Sequence, residues 1–250
     1  MQSLYKYLNA LAMRFDNFQI QKKRNVSSFI AMFHDVIHND KGSQYDAFSI
    51  YEKDLMSFVD SCSEKGYEFI PLELFFQERE TECKKCAITF DDGYESLFTI
   101  AAPFLIKQNI PFTVFVTTSY LDKPGYLTSE MIKELSQIKL CTIAMHAHNH
   151  LMFRYETDQT LKDNFIECKN RLIELTGLEP DFFAFPYGSV YACSKHNCKV
   201  VKEMGAKAVF VTRQRMLTKS DLRKRLYIPR LNIPGYYNNT IAVKNRGIEV

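Results

Sequence analysis

Two adjacent carboxylates, Asp91 and Asp92, stand where an apolar stretch of the chain ends. The run Cys86-Ala87-Ile88 before them is typical of a strand, Gly93 permits a tight turn, and residues 94–108 have a helical pattern. In parallel α/β enzymes, strand ends that open into loops carry the chemistry. Neighbouring carboxylates are costly unless a cation lies between them. These residues alone are equally compatible with a surface Asp-Asp-Gly turn whose Asp caps the next helix.

A cluster of histidines favours the functional alternative. Three of the six histidines, His146, His148 and His150, lie within five residues and follow another apolar run, 140–145. His146 and His150 are four residues apart, so both can be directed at one ion, and neutral imidazole is a common ligand of zinc, cobalt, nickel and iron. A catalytic metal site needs about three protein ligands and an open position. Two histidines and one Asp meet that need, so the sequence predicts a metal site.

The elements that must position these side chains are predicted from the pattern of the chain. Apolar runs, typical of strands, alternate with helical patterns. The predicted strands are Phe29–Phe33, Ala87–Phe90, Phe112–Val116, Thr142–Met145, Phe182–Phe185 and Ala208–Val211. The predicted helices are Tyr51–Glu64, Tyr94–Gln108, Ser129–Gln137, Gln159–Thr176 and Lys195–Met204. This alternation predicts a parallel sheet buried on both faces, and the signals allow either an open sheet or a barrel.

Composition limits the class of protein. With 250 residues, 46% of them hydrophobic, the chain is long enough for one domain with a sizeable core. The formal net charge is only +3 and no run of five Lys or Arg occurs, so nucleic acid is not an expected partner. No segment approaches the roughly 18 uninterrupted apolar residues of a membrane span. Seven cysteines without a convincing secretion signal predict reduced thiols and a cytoplasmic location.

Three motifs occur in order: Asp91-Asp92-Gly93, His146-x-x-x-His150 and Phe185-Pro186-Tyr187-Gly188. Together they resemble the polysaccharide deacetylase family (NodB-homology, carbohydrate esterase family four), and the resemblance runs from about Val26 to Ile233. It implies a distorted (β/α) barrel of about seven parallel strands. It also implies one catalytic domain over residues 26–250, preceded by an N-terminal helical extension over residues 1–25.

The N-terminal extension carries an apolar stripe at helical spacing, namely Leu4, Leu8, Leu11 and Phe15. The basic residues 21–24 follow this stripe. Peripheral membrane contact through residues 1–24 is therefore an alternative, but packing of the stripe on the domain is favoured. The sequence does not predict the oligomeric state.

The resemblance assigns roles to four residues around the predicted ion. Asp91 is the expected general base, and Asp92, His146 and His150 are the expected ligands of one divalent metal ion. Zinc is expected, with cobalt, nickel, iron or manganese as alternatives. His148, between the ligands, is expected to face away and to be dispensable for metal.

The third motif supplies the expected substrate contacts. By the resemblance, Pro186 and Tyr187 are expected to form a rigid turn that binds substrate, and the Tyr187 backbone N–H is expected to donate to the developing oxyanion.

The chain departs from the family pattern at three places. Ala147 stands where the family usually has a Ser or Thr that braces the loop, and Ala184 stands where it usually has an Arg. No histidine follows His196, although the family usually carries its catalytic acid near the C-terminus.

Two other residues are candidates for the missing groups. A rearranged subgroup carries the last motif at the start of the chain, which makes His34 the candidate acid, after the apolar run 30–33. The alternative is a loop histidine at the end of a strand. Arg230 is the candidate for the missing Arg and would neutralise and orient Asp91.

The resemblance predicts a metal-dependent hydrolase that removes N-acetyl groups from N-acetylhexosamine-containing glycans or sugar conjugates. An O-acetyl esterase or cyclic-amide hydrolase on the same scaffold is an alternative, as is a degenerate carbohydrate-binding relative. Ala147 and Ala184 favour the degenerate relative mildly, and the intact Asp and His set argues against it. A second, structural zinc site at Cys193, His196 and Cys198 is disfavoured because the spacing matches no zinc-finger pattern.

Overall fold

The structure is a computed structural model that describes residues 28–38, 48–77 and 84–233. The predicted helical extension at 1–25 and the residues from 234 onward lie outside the described residues. Within the described ranges, no helix is long and apolar enough to cross a membrane.

Ten strands and six α-helices occur in the described ranges. The strands are β1 (Phe29–Phe33), β2 (Asp35–Ile37), β3 (Ser49–Tyr51), β4 (Glu68–Phe69), β5 (Lys85–Phe90), β6 (Phe112–Val116), β7 (Cys141–Met145), β8 (Phe182–Ala184), β9 (Ala208–Thr212) and β10 (Ile228–Asn232). The helices are α1 (Glu52–Glu64), α2 (Ala102–Lys107), α3 (Ser129–Ser136), α4 (Asp158–Thr176), α5 (Lys195–Glu203) and α6 (Lys219–Lys224). Short 3₁₀ turns cover Leu72–Phe76, Thr118–Tyr120 and Phe153–Tyr155.

Seven parallel strands close into a barrel in the order β1-β10-β9-β8-β7-β6-β5, and β5 pairs back to β1. This confirms the predicted distorted (β/α) barrel of about seven strands. The short β4 pairs with the start of β5, and β2 and β3 form a separate two-stranded parallel sheet. In the pairing of β1 with β5, Phe33 lies opposite Phe90. His34 and Asp91 therefore leave the barrel side by side at its carboxyl end.

Alternate residues of the strands fill the barrel interior. Phe115, Phe182 and Phe210 pack there with small residues, including Ala144 and Ala184, in one buried cluster. Large and small side chains interdigitate in this way at native density.

The same interior cluster extends to the 3₁₀ turn that follows β4. Its Leu72 and Phe75 pack with the interior side chains, and β4 itself pairs at the amino end of β5. This turn therefore plugs the amino-terminal end of the barrel. The open mouth is left at the carboxyl ends of the strands, where the predicted site residues lie.

Strand β10 was not among the predicted strands, and it carries Arg230. Its Pro229 argues against a strand in a sequence-based assignment, because proline cannot donate to a ladder of hydrogen bonds. In the structure β10 pairs with β9 from Ile228 to Arg230 and with β1 only from Leu231. Pro229 therefore lies before the pairing with β1 begins.

Candidate metal and catalytic site

The predicted metal ligands converge at the mouth of the barrel. Asp92 Oδ1 lies 3.3 Å from His146 Nε2 and 3.2 Å from His150 Nε2. The three ligand atoms all lie within 4.8 Å of one another. Asp92 Oδ1 is buried and has no hydrogen-bond partner among the described residues. A buried, orphaned carboxylate oxygen between two imidazole nitrogens is a donor set that fits one divalent cation.

The neighbourhood keeps the Asp92 carboxylate ionised. Burial by itself raises the pKa of this group, but His146 and His150 outweigh burial and hold the pKa well below its usual range. His146 Nδ1 lies 2.9 Å from the carbonyl oxygen of Ala184. This contact orients the ring so that Nε2 faces Asp92, as the outer contacts of metal-bound histidines do.

The turn after β5 presents Asp92 through a left-handed backbone. Asp92 has φ +68° and Gly93 has φ +83°. Asp tolerates this conformation better than most residues, and glycine adopts it without steric cost. Gly93 N–H donates to the Asp91 carbonyl at 2.8 Å and closes the turn. The carboxylates of Asp91 and Asp92 are thereby turned away from the strand and towards the mouth.

The loop that carries the two histidine ligands is braced from the end of β6. Ala147 has φ +67° and no hydroxyl. Instead, Thr117 Oγ1 donates to the His146 carbonyl at 3.3 Å, and Thr118 Oγ1 lies 3.0 Å from His148 Nδ1. Sequence reasoning missed both threonines, although they follow an apolar strand in the way that Asp91 does. The bracing hydroxyls come from a neighbouring strand end.

The far side of the same loop is held by helix α4. Asn164, which is buried on α4, accepts a hydrogen bond from Asn149 N–H at 2.8 Å. His148 Nε2 lies 3.3 Å from Glu167 Oε1 on the same helix. His148 does not belong to the group of Asp92, His146 and His150, and its ring nitrogens contact Thr118 and Glu167. That it is dispensable for metal stays a prediction.

Asp91 and Arg230 form a buried, bidentate ion pair. Arg230 Nη1 and Nη2 each donate to a carboxylate oxygen of Asp91 at 2.6 Å. Arg230 is fully buried, contacts Thr89 Oγ1 at 3.3 Å, and stacks its guanidinium 4.8 Å from the Phe115 ring centroid. In this chain Ala184 stands where the third motif usually has an Arg. The structure brings a guanidinium to Asp91 from another strand, β10, through Arg230.

This pair fixes the charge state of Asp91. Burial raises the pKa of the carboxyl, but Arg230 and His146 oppose it, and the resulting pKa lies below the usual value. Asp91 Oδ2 also lies 3.8 Å from His146 Nε2. The structure therefore presents an ionised, oriented carboxylate beside the ligand set without placing it between the ligands.

His34 lies at the same end of the barrel as the ligands. The residue before it, Phe33, accepts a hydrogen bond from Asp91 N–H at 2.9 Å. The ring is buried, packs edge-on against Phe48, and has an Nδ1 atom with no partner among the described residues. Burial lowers the pKa of His34, although the nearby Asp92 and Asp91 act in the opposite direction. The imidazole is therefore neutral at neutral pH.

The third motif forms a strained turn beside His150. Tyr187 and Gly188 have φ of +60° and +58°. A Cβ atom on Gly188 would lie 2.4 Å from the backbone nitrogen of Thr212, so this position requires glycine. The ring centroids of Tyr187 and His150 are 4.4 Å apart. The backbone N–H of Tyr187 has no acceptor among the described residues. Pro186, which precedes it, is buried.

The alternative metal site finds no support in the described residues. His196 Nε2 pairs with Asp158 at 2.8 Å, and Cys193 and Cys198 are buried free thiols. All six described cysteines are free, and Cys83 lies outside the described residues.

The fold is similar to that of several solved deacetylases. A de-N-acetylase from Aggregatibacter actinomycetemcomitans superposes with a TM-score of 0.70 at 20% identity, covering 82% of this chain and 94% of that chain. IcaB from Ammonifex degensii gives a TM-score of 0.67 at 20% identity, over 80% of this chain and 95% of that chain. Deacetylase PplD from Streptococcus pyogenes, solved with acetate, gives 0.71 at 18% identity, over 82% of this chain and 92% of that chain.

Sequence comparisons agree with this similarity. A poly-beta-1,6-N-acetyl-D-glucosamine N-deacetylase of Staphylococcus aureus is 22% identical over 245 residues, covering 92% of this chain and 80% of the relative. YxkH of Bacillus subtilis, named after the polysaccharide deacetylases, is 24% identical over 185 residues, and this chain covers 64% of its length. The family model for polysaccharide deacetylase matches residues 78–209, just over half of the chain. The chain therefore belongs to the polysaccharide deacetylase family of the NodB type, carbohydrate esterase family four.

Proposed function

We propose that this protein is a metal-dependent hydrolase that removes N-acetyl groups from N-acetylhexosamine-containing glycans or sugar conjugates. The observation that carries the proposal is the buried Asp91–Arg230 pair beside an orphaned Asp92 oxygen that two histidines face. Family membership supports a carbohydrate deacetylase. The named substrate of the Staphylococcus aureus relative supports an N-acetyl group as the one removed.

Asp92, His146 and His150 would hold the ion, and zinc is the expected metal, with cobalt, nickel, iron or manganese as alternatives. When bound, a divalent ion lowers the pKa of water and polarises an amide carbonyl. The protein's own contribution is to hold three donors at one point and to leave the side towards the mouth open to substrate.

Asp91 acts as the general base. Its carboxylate is ionised and held in one orientation by Arg230, so it can accept the proton of the attacking water without a change of position. The Tyr187 backbone N–H donates to the carbonyl oxygen as negative charge develops there. The left-handed turn at Tyr187 and Gly188 keeps this N–H directed away from the barrel's own acceptors.

His34 acts as the acid for the leaving nitrogen. Because burial keeps its imidazole neutral at rest, His34 must collect a proton before it can donate one. The proposed source is Asp91, on the neighbouring strand end, which has accepted a proton from the attacking water. The proton then passes to the amide nitrogen as the C–N bond breaks, and the products are a free amine and acetate.

The test is acetate release from a panel of N-acetylhexosamine glycans, with metal content measured on the same samples. Asp92→Ala, His146→Ala and His150→Ala should each remove most metal and activity. Asp91→Asn should keep the metal and lower kcat by at least roughly 100-fold, the scale of a lost general base. His196→Ala, an exposed histidine paired with Asp158, is the matched control.

Three results would change the assignment. Stoichiometric metal in any two of the ligand variants would remove the proposed ligand set. Loss of metal from Asp91→Asn, with an unchanged rate on reconstitution, would exchange the roles of Asp91 and Asp92. Ring-opening of a cyclic amide without acetate release from glycans would identify the alternative hydrolase on the same scaffold.

The predicted cytoplasmic location rests on the cysteines and stays a prediction.

A further inference from the structure

The segment that carries His34 leaves the barrel sheet directly after this residue. Strand β1 pairs with β5 as far as Phe33, which lies opposite Phe90. The next strand, β2, belongs to the separate two-stranded sheet that it forms with β3. The ladder of the barrel therefore does not fix the backbone after His34, and contacts of another kind must hold this residue at the mouth.

The imidazole of His34 is held weakly by its own contacts. Its Nδ1 has no hydrogen-bond partner among the described residues. The ring packs edge-on against Phe48, and the two ring centroids are 5.2 Å apart. Since this contact is apolar and Phe48 is itself 41% exposed, the position of the ring depends on the backbone on either side of His34.

Two hydrogen bonds join this backbone to the segment directly after β5, which presents the two neighbouring carboxylates. Before His34, the Phe33 carbonyl accepts a hydrogen bond from Asp91 N–H at 2.9 Å. After His34, Val36 N–H donates to Ser96 Oγ at 3.0 Å. His34 is therefore held from both sides against the segment that carries the proposed base.

The Ser96 hydroxyl also bonds the side chain next to His34. It donates to Asp35 Oδ1 at 2.6 Å, a length typical of hydrogen bonds between a hydroxyl and a carboxylate. The hydroxyl thus uses its proton on Asp35 and a lone pair on Val36 N–H. Its two partners lie 61 and 60 residues away in the chain, so both contacts are tertiary.

A local role for Ser96 does not account for these contacts. Serine near the start of a helix commonly caps that helix with its hydroxyl. The Ser96 hydroxyl makes no capping bond to the helical segment that follows it. Its removal should therefore disturb the segment that carries His34 before it disturbs the helix.

We infer that Ser96 is a positioning residue that acts through His34 and holds the imidazole beside Asp91, where the leaving nitrogen is protonated. The inference rests on the proposed function, in which His34 is the acid. It adds a residue that lies outside the three motifs. Placement of this kind matters because a shift of about 1 Å can cost about 100-fold in rate.

The first test compares acetate release from an N-acetylhexosamine glycan with that from para-nitrophenyl acetate, whose leaving group departs without a proton. Ser96→Ala should lower kcat on the glycan roughly 10-fold, with KM, bound metal and the rate on the ester unchanged. Ser96→Thr keeps a hydroxyl and should recover most of the rate. Ser57→Ala is the matched control, because that exposed hydroxyl donates to the Lys53 carbonyl of its own helix, and it should change neither rate.

A double variant tests whether Ser96 acts through His34. In protein that already carries His34→Ala, the further change Ser96→Ala should cause no additional loss of turnover on the glycan, because the group that Ser96 places is gone. Losses that add in the double variant would overturn the inference. An equal loss on both substrates together with a loss of bound metal from Ser96→Ala would also overturn it, because a residue that only stabilises the fold would act in that way.

Amide hydrogen exchange of metal-free protein separates this inference from the proposed function. Ser96→Ala should speed exchange of Val36 N–H about 10-fold, the scale of one lost hydrogen bond, and leave exchange of Asp91 N–H unchanged. This result would support the placement of His34 by Ser96 even if wild type released no acetate, and the deacetylase assignment would then fail alone. Acetate release by wild type, combined with unchanged exchange at Val36, would overturn the role of Ser96 alone. If Ser96→Ala does not fold, Asp35→Ala removes the same side-chain bond from its other end and should speed the same exchange.

Discussion

Replacement of Arg230 by Met should destabilise the protein and raise the pKa of Asp91. Arg230 is fully buried and Asp91 is 2% exposed, with two hydrogen bonds of 2.6 Å between them. Met retains most of the volume of the stem that packs on Phe115, so the main effect is an unpaired buried carboxylate. Removal of one partner of a buried ion pair costs about 3–5 kcal/mol of unfolding free energy.

The pH dependence of this loss has a definite sign. In the wild type the folded pKa of Asp91 lies below its usual value. The ion pair therefore contributes stability above the ordinary carboxyl pKa of about 4, and this contribution disappears as the pH falls. In Arg230→Met burial dominates and raises the folded pKa, so the carboxylate destabilises the fold at neutral pH. The difference in stability between the two proteins should shrink as the pH is lowered.

Urea unfolding of metal-free protein at neutral pH and near the ordinary carboxyl pKa measures both effects. The double variant Arg230→Met/Asp91→Asn removes both charges, so it should be more stable than Arg230→Met at neutral pH. Its loss should also be smaller than the sum of the two single losses, because the two residues contact each other. A loss below about 1 kcal/mol in Arg230→Met, or a double variant no more stable than the single, would refute the reasoning.

Four further predictions each concern one residue or one kind of residue. His34→Ala should keep the metal and lower turnover by roughly 10²–10⁴-fold, because the leaving nitrogen then lacks its proton donor. Loss of metal would contradict the assigned role. Gly188→Ala should lower activity and the melting temperature far more than Gly66→Ala, whose added Cβ meets nothing within 4 Å at a similarly positive φ; equal effects would contradict the packing argument. Thr117→Val should weaken cobalt binding about 10-fold, the scale of a lost contact that orients a metal ligand. Thr99→Val, whose hydroxyl donates to the Glu95 carbonyl, should not weaken it. All seven cysteines should titrate as free thiols under denaturing, non-reducing conditions, and three disulfides would overturn the cytoplasmic location.

Two of the three departures from the family motifs are compensated by residues at other strands. Ala184 on β8 lacks the guanidinium, and Arg230 on β10 delivers one to Asp91. Ala147 lacks the hydroxyl, and Thr117 at the end of β6 supplies one to the loop. In a closed barrel, side chains from several strands point to the same place at the mouth. A group that is lost from one strand can therefore be supplied by a residue on another strand, and the site stays where it is.

The alternating strands and helices were predictable because their signals are local, and the family resemblance then selected a barrel over an open sheet. Strands such as Phe112–Val116 are continuous apolar runs. The motif residues stand directly after such runs, so the ends of the strands and the candidate ligands could be predicted from the same pattern. The strand β10 was not predicted, because Pro229 breaks the expected pattern and nothing local indicates which neighbours it pairs with.

Sequence alone indicated the family, because its motifs are residue types at short spacing. Through that resemblance it predicted the (β/α) barrel and named Asp91, Asp92, His146 and His150 as candidate site residues. Tertiary structure decided which distant residues join that set. Only the closure of β5 onto β1 brings His34 beside Asp91, and only the position of β10 directs Arg230 at the same carboxylate. Tyr120 and Tyr187, whose rings pack beside His150, likewise come from loops far apart in the chain. Contacts of this kind depend on barrel closure and strand order, which no local pattern of side chains encodes.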